Sequence, residues 1–256
     1  MGRTHFRQVV TGLLAAGALL GLTPRGLGGE TLSVEASADW VSHYVWRGML
    51  LTDDPVVQPS VTVSTGGLSL NVWGSVDATE VNEDNGEDGR LQEVDYTLSY
   101  AVSPMEGLDL EGGFIWYTFS SYESTGEVYG KVTLPCVPLS PSLSGYYDVD
   151  EADGWYLNAG LEHSFDLSEK LSLILSGGLG WGSNNFHEYY YGETTHNSES
   201  DLLLKATLEY ALTDYLTLSV YTGYSELLDG AVEREAKATY GDSDVLFGGV
   251  GVTFEF

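Results

Sequence analysis

The sequence predicts an all-β chain folded as a single antiparallel, up-and-down transmembrane β-barrel of about 12 strands. Three observations carry the prediction. Apolar residues recur at every second position along most of the chain, short and long connections alternate between these runs, and the last run ends on an aromatic residue.

Ahead of the barrel, Arg3 and Arg7 precede an apolar stretch from Val9 to Leu22, followed by Thr23, Pro24 and glycines. That stretch is shorter than the roughly 20 residues a transmembrane helix needs. Its flanks are those of a secretory signal peptide, with Gly26 and Gly28 as small residues near the cleavage point. Residues 1–29 are therefore expected to be a cleaved leader and residues 30–256 the barrel. The leader holds three of the ten Lys and Arg, so seven bases face 38 acids in the remainder, a formal balance of −31 (7 − 38). Such a surface has nothing to offer nucleic-acid phosphate. With 43% hydrophobic and 12% aromatic residues, the chain is nevertheless too apolar to stay disordered.

From Thr31 onward the period is two. Leu68, Leu70, Val72, Gly74 and Val76 alternate with Ser69, Asn71, Trp73, Ser75 and Asp77, and Leu216, Leu218 and Val220 alternate with Thr217, Ser219 and Tyr221. Runs of this kind fall at 31–46, 55–65, 68–80, 91–103, 108–119, 127–134, 140–147, 155–165, 171–182, 201–212, 216–226 and 244–256. Short links at Gly66-Gly67, around Met105, around Cys136, at 166–170 and at Asp214 alternate with longer polar ones, which include "VNEDNGEDGR", "GSNNFHEYYYGETTHNSES" and "LLDGAVEREAKATYGD". No helical period of useful length follows the leader. A soluble β-sandwich shares the alternation, but its Greek-key crossovers would break the tidy hairpin order.

Lipid tolerates no unpaired sheet edge, so the last strand is expected to close against the first. Val250, Val252, Phe254 and Phe256 then face lipid, and Gly249, Gly251, Thr253 and Glu255 face the lumen. The set Val252, Phe254 and Phe256 resembles the membrane-assembly signal read by the bacterial barrel-assembly machinery. Trp40, Tyr44, Trp46, Tyr96, Tyr100, Trp116, Trp155, Trp181, Tyr210 and Tyr224 are candidates for the two aromatic girdles.

By the same parity, Glu35, Asp39, His43, Arg47, Glu93, Asp95, Glu111, Lys131, Lys205 and Glu209 point inward and are the lumen or selectivity candidates. Acids dominate this set, and a water-filled lumen of that sign concentrates cations. The alternative is pairing within the lumen: Arg47 with Asp39 or Asp95, and Lys131 or Lys205 with Glu111 or Glu209. About eight strands give a filled barrel and sixteen an open one, so twelve leaves both outcomes open. Small residues such as Ser172, Ser176, Gly178 and Gly180 favour a path, while Ile115, Tyr117, Tyr129, Tyr146 and Tyr221 favour filling.

No enzyme constellation emerges. His163 and Ser164 are adjacent in a strand and so point to opposite faces. "DVDEADG" and "NEDNGEDG" lack the spacing of a calcium loop. His187, Glu188, Glu193 and His196 do not have diagnostic metal-ligand spacing, and Cys136 has no partner for a disulfide. No metal or cofactor is expected.

The segments "SHYVWRG" (Ser42–Gly48), "PVVQPSVTVS", "NVWGSVD", "EVDYTLSY" and "GFIWYTF", spread between Asp39 and Leu134, resemble the TorF-type porin family, outer-membrane barrels of largely unknown function. The match departs from the family at Pro59-Ser60, where a glycine-rich continuation is expected. The resemblance implies an exported bacterial outer-membrane barrel and a pore without a named substrate. The expected function is passive passage of small solutes with a cation preference; the alternative is a non-conducting structural or ligand-binding barrel acting through its outer loops. The expected partners are outer-membrane lipid, the assembly machinery and small solutes or cations, with self-association into a homo-oligomer left open.

Overall fold

Strand alternation is satisfied by a closed wall in the computed structural model, which describes residues 31–79, 91–192 and 196–256. The expected leader and the "VNEDNGEDGR" loop lie outside the described residues. In chain order the elements are β1 (Ser33–Val41), β2 (Tyr44–Trp46), β3 (Met49–Thr52), β4 (Val56–Thr65), β5 (Leu68–Asp77), β6 (Leu91–Met105), β7 (Leu108–Phe119) and β8 (Thr125–Thr133). There follow β9 (Ser142–Asp148), β10 (Trp155–Asp166), β11 (Leu171–Gly182), α1 (Asn184–Tyr191), β12 (Ser198–Thr213), β13 (Leu216–Leu227), α2 (Gly230–Thr239) and β14 (Asp244–Glu255). Strand β1 and strands β4 to β14 form a closed barrel of twelve antiparallel strands, each paired with its neighbours in sequence, while β2 and β3 form a separate hairpin.

Closure runs through β1 and β14, with Ala36 opposite Phe254 and Trp40 opposite Val250. The Val34 amide donates to the Phe256 carbonyl at 3.0 Å and the Phe256 amide returns a bond to Val34 at 2.9 Å. The terminal aromatic is thus tied into the seam, and no strand of the wall is left with an open edge.

Register sorts the side chains as parity predicts. Leu70, Leu98, Phe114, Val128, Leu143, Leu157, Leu175, Leu204 and Val220 stand exposed on the outside of the closed wall. A continuous apolar belt on a barrel with no free edge is a surface made for lipid. Trp40, Trp116, Trp155 and Trp181 ring the end with long connections (the loop end), and Tyr100 and Tyr210 the end with short ones (the turn end).

Three expectations need correction. The run 31–46 is not one strand, because β1 stops at Val41 and the chain turns inward. Tyr44 and Trp46 are accordingly no girdle residues: Tyr44 is buried and packs on the inward Trp73 ring at 5.5 Å. The loops after β11 and β13, read as irregular, carry helices of eight and ten residues. Segments so short are unstable alone, and their periodicity is too brief to read. Here capping and tertiary packing hold them. Ser183 accepts from the Phe186 amide at 3.2 Å to start α1, and Asp229 accepts from the Ala231 and Val232 amides at 2.9 and 3.1 Å to start α2.

Candidate functional site: the lumen

The loop end of the lumen is filled from inside by the β2–β3 hairpin. Its two tip residues, Arg47 and Gly48, both have positive φ (47° and 86°), the geometry of a two-residue hairpin turn. Gly48 is required twice over, since a Cβ there would meet the Leu227 side chain and the Cβ of Asp201. Leaving β1, the hairpin therefore crosses the bore and reaches β12 and β13. Met49 is fully buried with Phe186, Tyr191, Val232, Ala236, Tyr156 and Leu227, so hairpin, both helices and wall share one apolar cluster.

Arg47 is the centre of this arrangement. Its guanidinium donates to both oxygens of Glu127 at 2.7 and 2.8 Å, and the two side chains are only 8% and 1% exposed. The Tyr117 hydroxyl donates to the same carboxylate at 2.8 Å. Trp46, Tyr146 and Tyr156 present their rings to the guanidinium at 4.3, 4.4 and 4.4 Å, and the Tyr191 hydroxyl donates to the Arg47 carbonyl at 2.9 Å. A planar cation with a bidentate carboxylate and stacked aromatic faces is well held even in a dry setting. On the lumen side the cluster opens onto a cavity of about 340 Å³, bordered also by Ser144, Asn158 and Asp201. Tyr156 donates to Asp201 at 2.9 Å.

Beside the hairpin, Thr52 donates to Gln92 at 2.9 Å, and the Tyr44 hydroxyl lies against Glu93, which in turn adjoins Asp95. Toward the turn end the bore is polar. Glu111 and Lys131 stand opposite each other across β7 and β8, Tyr129 donates to Glu111, and a cavity of about 380 Å³ opens between Asp109, Glu111 and Lys131. Lys205 lies 4.1 Å from the Tyr221 ring, within the field of Asp39, Glu209 and Glu162. Several lumen side chains rest on bare backbone: a Cβ at Gly180 would collide with Tyr156, one at Gly249 with Tyr221, and one at Gly251 with Asp39.

The inward parity thus holds for Asp39, Glu93, Asp95, Glu111, Lys131, Lys205 and Glu209, and Glu35 faces Thr62 and Glu255 across the turn-end seam. His43 and Arg47 do not sit on the wall. His43 lies at the hairpin base beside Ser42, 3.6 Å from Asp53. Arg47 pairs with Glu127, not with Asp39 or Asp95, because the hairpin carries it across the bore. Glu127 and Asp201 were missed by sequence reasoning, although the parity that selects Tyr129, Lys131 and Lys205 selects them too.

The remaining candidates lie away from this cluster. Asp148 of "DVDEADG" is buried and accepts from Thr125 and from the Asp150 and Ala152 amides, which folds the loop. His163 faces outward against Phe165 at 4.4 Å, and its partner position is Leu175 on the belt. In α1, Glu188 is exposed, His196 meets Asp229 at 3.0 Å, and Glu193 lies outside the described residues. Among the described residues no group of three His, Cys, Asp or Glu gathers to hold a metal ion.

His187, on the inner face of α1, is fully buried, and burial holds its imidazole below the ordinary histidine value, with Asp229 and His196 as the nearby charged groups. A lowered folded value means that the unfolded helix binds the proton more readily. Its contribution is present above the ordinary value of about 6.5 and is lost as pH falls through and below it. Protection of the α1 amides, taken relative to the intrinsic exchange rate at each pH, should fall between neutral pH and pH about 5, and His187→Gln should flatten that dependence. Equal pH dependence in the variant would assign it elsewhere.

No protein-family model and no curated protein matches the chain. Solved structures do match its fold. A KdgM porin in complex with disordered oligogalacturonate aligns over 88% of this chain and 99% of its own, at 12% identity and a TM-score of 0.55. The NanC porin aligns over 88% and 99% at 14% identity and 0.51, and an outer membrane channel from Pseudomonas putida F1 over 92% and 98% at 12% identity and 0.51. At these identities the likeness is one of architecture, and it is nearly complete along both chains: this is a twelve-stranded barrel of the kind found in outer-membrane porins.

Proposed function

We propose that the chain is a bacterial outer-membrane channel for passive passage of small solutes, with a preference for cations, narrowed at its loop end by the inward hairpin. The observation that carries this reading is the polar, predominantly acidic bore inside an edge-free apolar belt: Asp39, Glu93, Asp95, Glu111, Glu162 and Glu209 face it against Lys131 and Lys205. Such a field raises the local concentration of cations and repels anions. It would also repel an acidic oligosaccharide such as the one in the KdgM complex, so the shared fold does not carry over a shared solute. The resemblance to the TorF-type family supports the same reading.

Single-channel recording of the refolded protein under a salt gradient tests it. Discrete cation-selective steps are expected, and replacing Glu93, Asp95 and Glu111 together by their amides should lower the cation to anion ratio several-fold. An unchanged ratio would mean that the three line no conducting path. The second reading, a non-conducting barrel acting through its loops, is favoured by the full burial of Met49, Phe186, Val232 and Ala236 within the loop end. It predicts a heat-modifiable barrel that stays electrically silent.

The set Val252, Phe254 and Phe256 serves in this proposal as the assembly signal. Deleting Phe256 should reduce the amount reaching the membrane far more than it reduces refolding into detergent, as read by heat-modifiability in each fraction. Normal membrane levels would remove that role.

A further inference from the structure

From the surroundings of Arg47 we infer that the lumen contains a binding site for small organic cations of the guanidinium class, held in this conformation by the chain's own Arg47 as a tethered occupant. Most of the site belongs to the wall, not to the hairpin. Glu127 on β8 supplies the bidentate carboxylate, Tyr117 on β7 orients it, and Tyr146 and Tyr156 on β9 and β10 supply two ring faces at 4.4 Å. Only Trp46 leaves with the hairpin. A carboxylate fork matched to a planar cation and flanked by π-faces recognises guanidinium chemistry in general.

Two further features let an outside ligand compete. The site adjoins the cavity of about 340 Å³ that Asp201 also borders, so a cation drawn in by the acidic bore arrives next to it. The tip that carries the occupant also stores backbone strain that its release relieves, since Arg47 is a non-glycine with φ of 47°, while the burial of Met49 keeps the rest of the hairpin in place. A tethered ligand acts at an effective concentration of about millimolar or above. Free cations therefore bind the intact protein weakly, and each binding event releases the hairpin tip from the bore.

The test is calorimetric titration of methylguanidinium into the refolded full barrel in detergent, comparing the intact protein with Arg47→Gln and with Arg47→Gln combined with Glu127→Gln. Heat-modifiability confirms folding of each. Removal of the tethered competitor should tighten binding by about tenfold or more, the size of a charge-assisted contact, and the added Glu127→Gln should abolish that gain. A folded Arg47→Gln barrel that binds no more tightly than the intact protein would overturn the assignment, as would tight binding indifferent to Glu127. If Arg47→Gln does not fold, Arg47→Lys carries the test, because it keeps the charge and loses the fork; it too should bind more tightly than the intact protein, and equality would overturn the site. The permeant role of such cations rests on the channel reading, whereas the site does not. A silent bilayer would remove the channel and leave the calorimetry standing, and absent binding would remove the site and leave the conductance standing.

Discussion

Replacing Glu127 by alanine is expected to detach the hairpin from the wall and raise the conductance of the lumen, while the barrel itself survives. The Arg47 guanidinium would keep its aromatic surroundings and lose the one carboxylate that bonds it among the described residues, in a position where its side chain is 8% exposed. Leaving one member of a buried pair uncompensated costs about 3–5 kcal/mol. What still holds the hairpin is the apolar cluster around Met49, since its own strands, three and four residues long, add little. The wall is a separate matter, because each of its twelve strands is hydrogen-bonded on both sides. Two readings check the expectation: protease cleavage between β2 and β3, which should appear only in the variant, and single-channel conductance, which should rise. The double change Arg47→Ala with Glu127→Ala should cost less than the two single changes added together, since the second removal relieves the first. A variant with unchanged conductance and a protected hairpin would show that the apolar cluster alone fixes the plug.

Phe186→Ala tests that cluster. Phe186 is 1% exposed and lies 5.3 Å from the Tyr156 ring, 4.9 Å from Tyr190 and 6.4 Å from Trp46, so one side chain joins α1, the wall and the hairpin. Truncating a buried phenylalanine costs about 3–5 kcal/mol, from the lost burial of the ring and from the cavity left behind. The loss should be local. Amide exchange should accelerate in α1, in α2 and in the hairpin together, because Val232, Ala236 and Met49 share the cluster, while the strand amides at the turn end keep their protection. Acceleration confined to α1 would mean that the three pieces do not move as one unit.

How much of this was legible beforehand follows from what each element is made of. The wall was legible because its strands are long and two-faced, and a side-chain period of two leaves no freedom about which residues meet lipid. The seam was legible for the same reason, since Val250, Val252 and Phe254 demand an apolar exterior and the fold gives them one. The hairpin was not. Tyr44, Val45 and Trp46 continue the apolar run of β1, and only the turn at Arg47-Gly48 marks a change of direction, a signal that a plain outer loop would also give. Helices of eight and ten residues are likewise too short to show a period, although Asp229 before Gly230 was a readable cap. Among the site residues, parity placed the carboxylates but could not pair them, because Arg47 reaches Glu127 through the bore and not along the sheet.

The bare backbone at Gly180, Gly249 and Gly251 has a bearing on calibre. Tyr156, Tyr221 and Asp39 lie flat on the wall where a side chain would otherwise have propped them toward the axis. Strand number fixes the radius of the backbone cylinder, but the free cross-section is what remains after its lining has been laid down, and a lining seated on glycine is thin. Two barrels of twelve strands can therefore differ in the free width of the lumen without any change in strand count, tilt or loop length, and in this one that width depends on positions that carry no side chain.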